Sequence, residues 1–124
     1  MELLFAKALL GLLAFDLCGL GRNFSRLHHI VASWSVTRTT TRPDLVYRVC
    51  SAVNYACACY PRRALCLQRS VVTTCLLRSR GIPAQLVMGA QRFPFKAHAW
   101  VEVDGRAVNE RCDVRVIYGV LDQC

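Results

Sequence analysis

Cys66, His98 and Glu110 are the side chains whose types and order along this chain could carry covalent chemistry. A cysteine attacks as its thiolate, and a helix N-terminus favours that form through unpaired N–H groups and the positive end of the helix dipole. Cys66 opens the stretch "CLQRSVVTTCLLRSRG" and is the cysteine that falls at such a start. Cys75, nine residues on, is turned by about 180° at 3.6 residues per turn and is assigned to packing. A histidine can take the proton from the thiol and return it to a leaving group, provided a third group holds its tautomer and orientation. His98 and Glu110 stand at the two ends of "HAWVEVDGRAVNE". Taken singly, a cysteine at a helix start or a histidine at a strand edge is more often structural. Three roles in chain order, each on the element that the role requires, reverse that preference.

The third role depends on how "HAWVEVDGRAVNE" folds back on itself. A three-residue turn, Val103-Asp104-Gly105 with Gly105 left-handed, pairs Glu102 with Arg106, Trp100 with Val108 and His98 with Glu110 on one sheet face. Opposite charges at 102 and 106 and an apolar middle pair support that register. A two-residue type I′ turn at Asp104-Gly105 pairs Trp100 with Asn109 instead and moves Glu110 to the other face. Asn109 is then the alternative orienting group, since an amide can serve in that role. The sequence leaves both registers open. Trp100 shares the face of His98 and reads either as a wall of the substrate site, shielding the imidazole from water, or as a core tryptophan.

These residues need a helix and a sheet to position them, and the hydrophobic pattern supplies both. Residues 2 to 18 read as an apolar helix ended by Gly19 and Gly21, and 23 to 34 as a second, with Leu27, Ile30, Val31 and Trp34 at helical spacing. Pro43, followed by Asp44, opens a third helix that Pro61 stops, with Cys50 and Cys57 seven apart on one face as small packing residues. The fourth runs from Cys66 to Arg80, with Gly81 at C′ and Pro83 beyond. Downstream the period changes to two in "AQLVMGA", "AHAWVEV" and "RAVNE". Helices followed by a small antiparallel sheet make an α+β fold, expected as a single domain over 1–124. Residues 1–60 are expected to be helical, apolar and partner-docking, and residues 61–124 to carry the catalytic helix and sheet.

Composition narrows the function. A chain of 124 residues that is 54% hydrophobic has more apolar surface than its interior should take up, so some of it is expected to meet a partner. The charge of +8 comes from 16 basic against 8 acidic residues scattered along the chain, without the clustered patch that nucleic acid needs. Eight cysteines are too few for a disulfide scaffold and contain no C-x-x-C pair, so they read as reduced thiols of a cytoplasmic protein with no structural metal. His28 and His29 are adjacent, with no ligand pair around them. The first segment is too interrupted, by Glu2, Lys7 and Asp16, for a signal peptide or a spanning helix. Contact of that helix with a membrane surface is the less favoured alternative to a partner. No phosphate-binding loop is visible, and no cofactor is expected.

"CLQRSVVTTCLLRSRGIPAQLVMG" followed by "FKAHAWVEVDGRAVNE" resembles the B protein of lasso peptide biosynthesis, the leader peptidase, in the split form where the protease is a separate chain. The resemblance is detailed from Cys66 to Glu110: a Cys-Leu-x-Arg-Ser helix start, an Arg-Gly-Ile-Pro-Ala helix exit and a His-Ala-Trp-Val-Glu strand. It implies a papain- and transglutaminase-like fold with Cys66 as nucleophile, His98 as general base and acid, and Glu110 as orienting acid. The family usually has Asp where this chain has Glu110, one methylene longer, so Asn109 or Asp113 stays open for that role. The implied partners are the precursor peptide with its leader and core, a winged-helix-like leader-recognition protein, and the ATP-dependent cyclase that closes the macrolactam.

On this reading the Cys66 thiolate attacks the carbonyl at the leader–core junction, helix-start N–H groups hold the oxyanion, and His98 protonates the departing amine before activating water. Arg69, one helical turn on, is expected to pair with an acid or to seat the N-terminal helices. Tyr60 occupies the position six before Cys66, with nothing in the sequence to aim it. The rival readings are a transglutaminase-like acyl transferase, a non-catalytic scaffold, and a basic binder of membranes or nucleic acid.

Overall fold

The computed structural model describes residues 2–18, 24–33, 43–61, 66–91, 96–109 and 118–123. Four helices come first: α1 (Glu2–Leu17), α2 (Phe24–Ser33), α3 (Pro43–Cys59) and α4 (Cys66–Ser79). Four strands follow: β1 (Gln85–Gln91), β2 (Lys96–Val103), β3 (Arg106–Ala107) and β4 (Gly119–Gln123), in sheet order β3-β2-β1-β4 with every pairing antiparallel. This is the α+β order that the periodicity predicts.

Helix α4 is the centre of the molecule. Its buried residues, Gln68, Ser70, Val71, Val72, Thr73, Thr74, Leu76 and Leu77, run right round the helix, so it has no polar face. The polar ones among them need partners, because a buried unpaired donor costs about 1–3 kcal/mol. Thr73 and Thr74 donate back to the carbonyls of Arg69 and Ser70, each at 2.8 Å, and Gln68 Nε2 donates to Leu12 O at 2.8 Å. The last bond locks α4 to α1. Helix α1 buries Leu4, Ala8, Leu12 and Phe15, and Gly11 brings it close, since a Cβ there would stand 3.1 Å from Val72 Cγ1. Its other side leaves Leu3, Leu10, Leu13 and Leu17 exposed.

The end of α4 follows from Gly81, whose φ of 84° is left-handed. Ile82 N–H donates to Leu77 O and Gly81 N–H to Arg78 O, both at 3.0 Å, which is the Schellman closure of a helix C-terminus. Ile82 is fully buried with Leu77, Ala84 and Val101 in the cluster that joins α1, α3 and α4 to the sheet. Arg78 ties the same corner, donating from Nε to Ala84 O at 2.9 Å and from Nη1 to Val31 O, near the end of α2. On α2, Leu27 and Val31 are fully buried as their spacing predicts, while Trp34 lies outside the described residues.

The β2–β3 hairpin corrects the three-residue turn. Val103 pairs with Arg106 and Glu102 with Ala107 around a two-residue turn, Asp104 at φ 54° and Gly105 at φ 76°. Two successive positive φ values make a type I′ turn, whose twist matches that of the flanking strands, and Asp-Gly is suited to it. Val103 therefore stays in the strand and packs against the main core cluster. Glu102, placed opposite Ala107 rather than Arg106, is buried and accepts a hydrogen bond from Trp100 Nε1 at 2.8 Å.

Candidate active site

Cys66 is the first residue of α4 and is half-buried beneath the second hydrophobic cluster. Its position leaves the first N–H groups of the helix without intrahelical acceptors, a setting in which they can bind negative charge on a substrate oxygen. His98 lies on β2 opposite Gly89 of β1. Both residues border one open cavity of about 360 Å³, completed by Leu67, Met88, Gly89, Ala97, Ala99 and Leu121. Cys66 and His98, the candidate nucleophile and base of the sequence reading, thus border the same cavity, with the His98 ring packed against Trp100 and Tyr118.

The helix and the strand are joined just behind that cavity. Ser70, one turn after Cys66, donates from Oγ to Ala99 O at 3.1 Å, next to His98. Asn109 Nδ2 donates to Ser70 Oγ at 3.2 Å, and Asn109 Oδ1 accepts the Val101 N–H at 2.9 Å. Val108 N–H still reaches Val101 O at 2.9 Å, so the side chain of Asn109 continues the ladder where the backbone of its strand leaves off. The Asn109 amide is committed between α4 and β2. Glu110, and Asp113 with it, lies outside the described residues.

Alternation along β2 divides its side chains between the two faces of the sheet. Ala99 and Val101 join clusters with helix residues, whereas His98, Trp100 and Glu102 occupy the other face. There the His98 ring stacks on Trp100 with centroids 6.0 Å apart, and Tyr118 flanks it at 5.2 Å. Trp100 is fully buried and packs with Val87, Ala107 and Tyr118 in a third cluster. It is not among the residues that line the cavity; it backs His98 from the core. Gly89 makes room for it, since a Cβ at 89 would stand 2.7 Å from Trp100 Cη2.

Other candidates fall into structural places. Tyr60 Oη donates to the Asp16 carboxylate and, at 3.4 Å, to Leu12 O, which ties the end of α3 to α1. Arg69 keeps a buried Nε that takes no hydrogen bond, and its charge sits near Cys50 and Cys57. Burial pushes the Cys50 thiol up to about 11 and the Cys57 thiol upward as well, with Arg69 offsetting some of each shift. Those two thiols are packing groups. None of Cys18, Cys50, Cys57, Cys59, Cys66 and Cys75 is in a disulfide. Among the described residues no group of three His, Cys, Asp or Glu side chains gathers around a metal position, and no helix is long and apolar enough to cross a membrane.

Sequence reasoning missed Tyr118, Ser70 and most of the cavity wall. A glycine within a strand pattern, Gly89, was the one available signal of close approach at this point. Leu121 gave none, because β4 has no clear alternation to place it.

Helices followed by an antiparallel sheet, with a cysteine heading the buried central helix beside a histidine-bearing strand, define the α+β class of papain- and transglutaminase-like folds. The profile of the transglutaminase-like superfamily matches residues 12–121, and the chain belongs to that superfamily. Within it, a stretch of 50 residues is 42% identical to the Escherichia coli protein named microcin J25-processing protein McjB. That stretch is 40% of this chain and 24% of the relative, so the match spans about a quarter of the relative's length. No solved structure matches the chain.

Proposed function

We propose that this chain is a cysteine peptidase that removes the leader from a ribosomally made lasso peptide precursor, before a cyclase closes the macrolactam. The observation that carries the reading is the shared cavity: Cys66 at the start of the buried central helix and His98 on the adjoining strand both border it. Membership of the transglutaminase-like superfamily supports thiol chemistry there. The partial likeness to a protein named for processing microcin J25 supports a peptide precursor as substrate.

The Cys66 thiolate attacks the carbonyl carbon of the leader–core bond, and N–H groups in the first turn of α4 receive the negative charge that develops on oxygen. His98 gives its proton to the departing amine, the new N-terminus of the core, and leaves the leader as a thioester on Sγ. His98 then takes a proton from water, which hydrolyses the thioester and restores the thiol. We keep Glu110, the acid that the family resemblance implies, in the orienting role; the two-residue turn removes the direct pairing of residue 110 with His98, and the Asn109 amide is committed to Val101 and Ser70. Trp100 and Tyr118 pack against the imidazole and against each other, which limits its tilt.

A separate leader-recognition protein presents the precursor, and the exposed leucines of α1 offer an apolar surface for such docking. The test is mass spectrometry of a precursor incubated with its recognition protein and either the wild-type chain or Cys66→Ala. Leader and core fragments with the wild type alone support the reading. An intact precursor in both sinks it, and addition of an amine in place of water moves the chain to acyl transfer.

A further inference from the structure

We infer that the cavity beside Cys66 is a subsite for an uncharged, apolar side chain of the residue whose acyl group is transferred to the thiol. The inference rests on the peptidase reading but draws on different observations. Leu67, Met88, Ala97, Ala99 and Leu121 present carbon to the cavity, and Gly89 contributes only backbone. Among the described residues, Cys66 and His98 are its only titratable lining groups.

The space itself has a local cause. On β2 the residues before and after His98 are alanines, so the strand offers methyl groups where larger side chains would fill the gap between the start of α4 and the sheet. Met88 stands opposite Ala99 on β1, and Leu121 on β4 sits at the irregularity in pairing between Met88 and Gly89. A Lys, Arg, Asp or Glu side chain entering there would lose water and find no opposite charge, a penalty that an apolar side chain escapes. At about 360 Å³ the cavity has room for an aliphatic or aromatic side chain with some adjoining backbone. Because Cys66 borders it, a chain anchored there brings its own carbonyl to the sulfur.

The test reads the cavity directly, without needing peptide cleavage. Three methanethiosulfonates carrying benzyl, sulfonatoethyl and trimethylammonioethyl groups are compared; each forms a disulfide with a thiolate and releases methanesulfinate. Rates are read at Cys66 by peptide mass spectrometry, with the exposed Cys18 and Cys59 as internal references. The benzyl-to-charged rate ratio at Cys66 is expected to exceed that at both references at least about tenfold. Leu121 is exposed, so Leu121→Glu should fold normally, and it should raise the cationic over the anionic rate at Cys66 about tenfold without changing it at Cys18. Equal ratios at the three cysteines, or no response to Leu121→Glu, overturn the inference. An intact precursor in the cleavage assay would remove the peptidase reading and leave these ratios untouched, so the two failures are distinct.

Discussion

Replacing Gly89 by alanine should damage the fold at the point that supports His98. A Cβ at 89 would lie 2.7 Å and 2.9 Å from Trp100 Cη2 and Cζ3, and 2.8 Å from Gly119 O on the next strand. Neither neighbour can yield cheaply: Trp100 is fully buried with its indole N–H bonded to Glu102, and the other is backbone in a sheet. Overpacking of this kind costs about 1–3 kcal/mol, against roughly 0.5–1 kcal/mol that alanine normally gains over glycine within a strand. The net expectation is a loss of about 1–2 kcal/mol, roughly five- to thirtyfold in the folding equilibrium. Gly119→Ala is the control on the neighbouring strand, because its Cβ would meet only Ala90 O, at 3.7 Å. Urea unfolding followed by tryptophan fluorescence should therefore give a lower midpoint for Gly89→Ala and an unchanged or higher one for Gly119→Ala. Because Trp100 backs the imidazole, Gly89→Ala should also lower kcat more than it raises KM. Equal midpoints for the two variants would refute the packing argument.

Asn109→Ala leaves the Val101 N–H without its side-chain acceptor and should cost about 1–3 kcal/mol in chemical denaturation, yet retain cleavage per folded molecule; complete loss of cleavage at full stability would return the orienting role to Asn109. Tyr60→Phe removes the bond to Asp16 and should cost about 1 kcal/mol with kcat unchanged, whereas a hundredfold drop in kcat would make Tyr60 an oxyanion donor. Cys50, raised to about 11 in the folded protein, keeps its proton where the unfolded thiol has lost its own, so its contribution to stability is complete below pH 9 and is lost as pH rises toward 11. Urea midpoints measured across that window should fall less steeply for Cys50→Ala than for the wild type; parallel slopes would show that Cys50 does not titrate there.

The helical half was legible because its punctuation is local. Pro43 with Asp44 starts α3, and Gly81 ends α4 through a closure that needs only one left-handed residue. The position of Cys66 followed from that framing. The hairpin was harder, because Glu102 and Arg106 favour one register by charge while Asp104-Gly105 favours the other by backbone twist. Backbone twist won, since a surface ion pair contributes little and Glu102 found a buried partner in Trp100. The cavity wall was not legible at all: Leu67, Met88, Ala97 and Leu121 come from three strands and a helix, and only tertiary packing gathers them.

The central claim is that Cys66 receives the leader as an acyl group. The direct measurement is the intact mass of the chain after acid quench of a reaction with precursor and recognition protein, with Cys66→Ala and His98→Ala run beside the wild type. A mass increase equal to the leader less one water, mapped to Cys66 and lost in Cys66→Ala, together with no free core in that variant, is the predicted result. Release of the core peptide by Cys66→Ala would contradict the account.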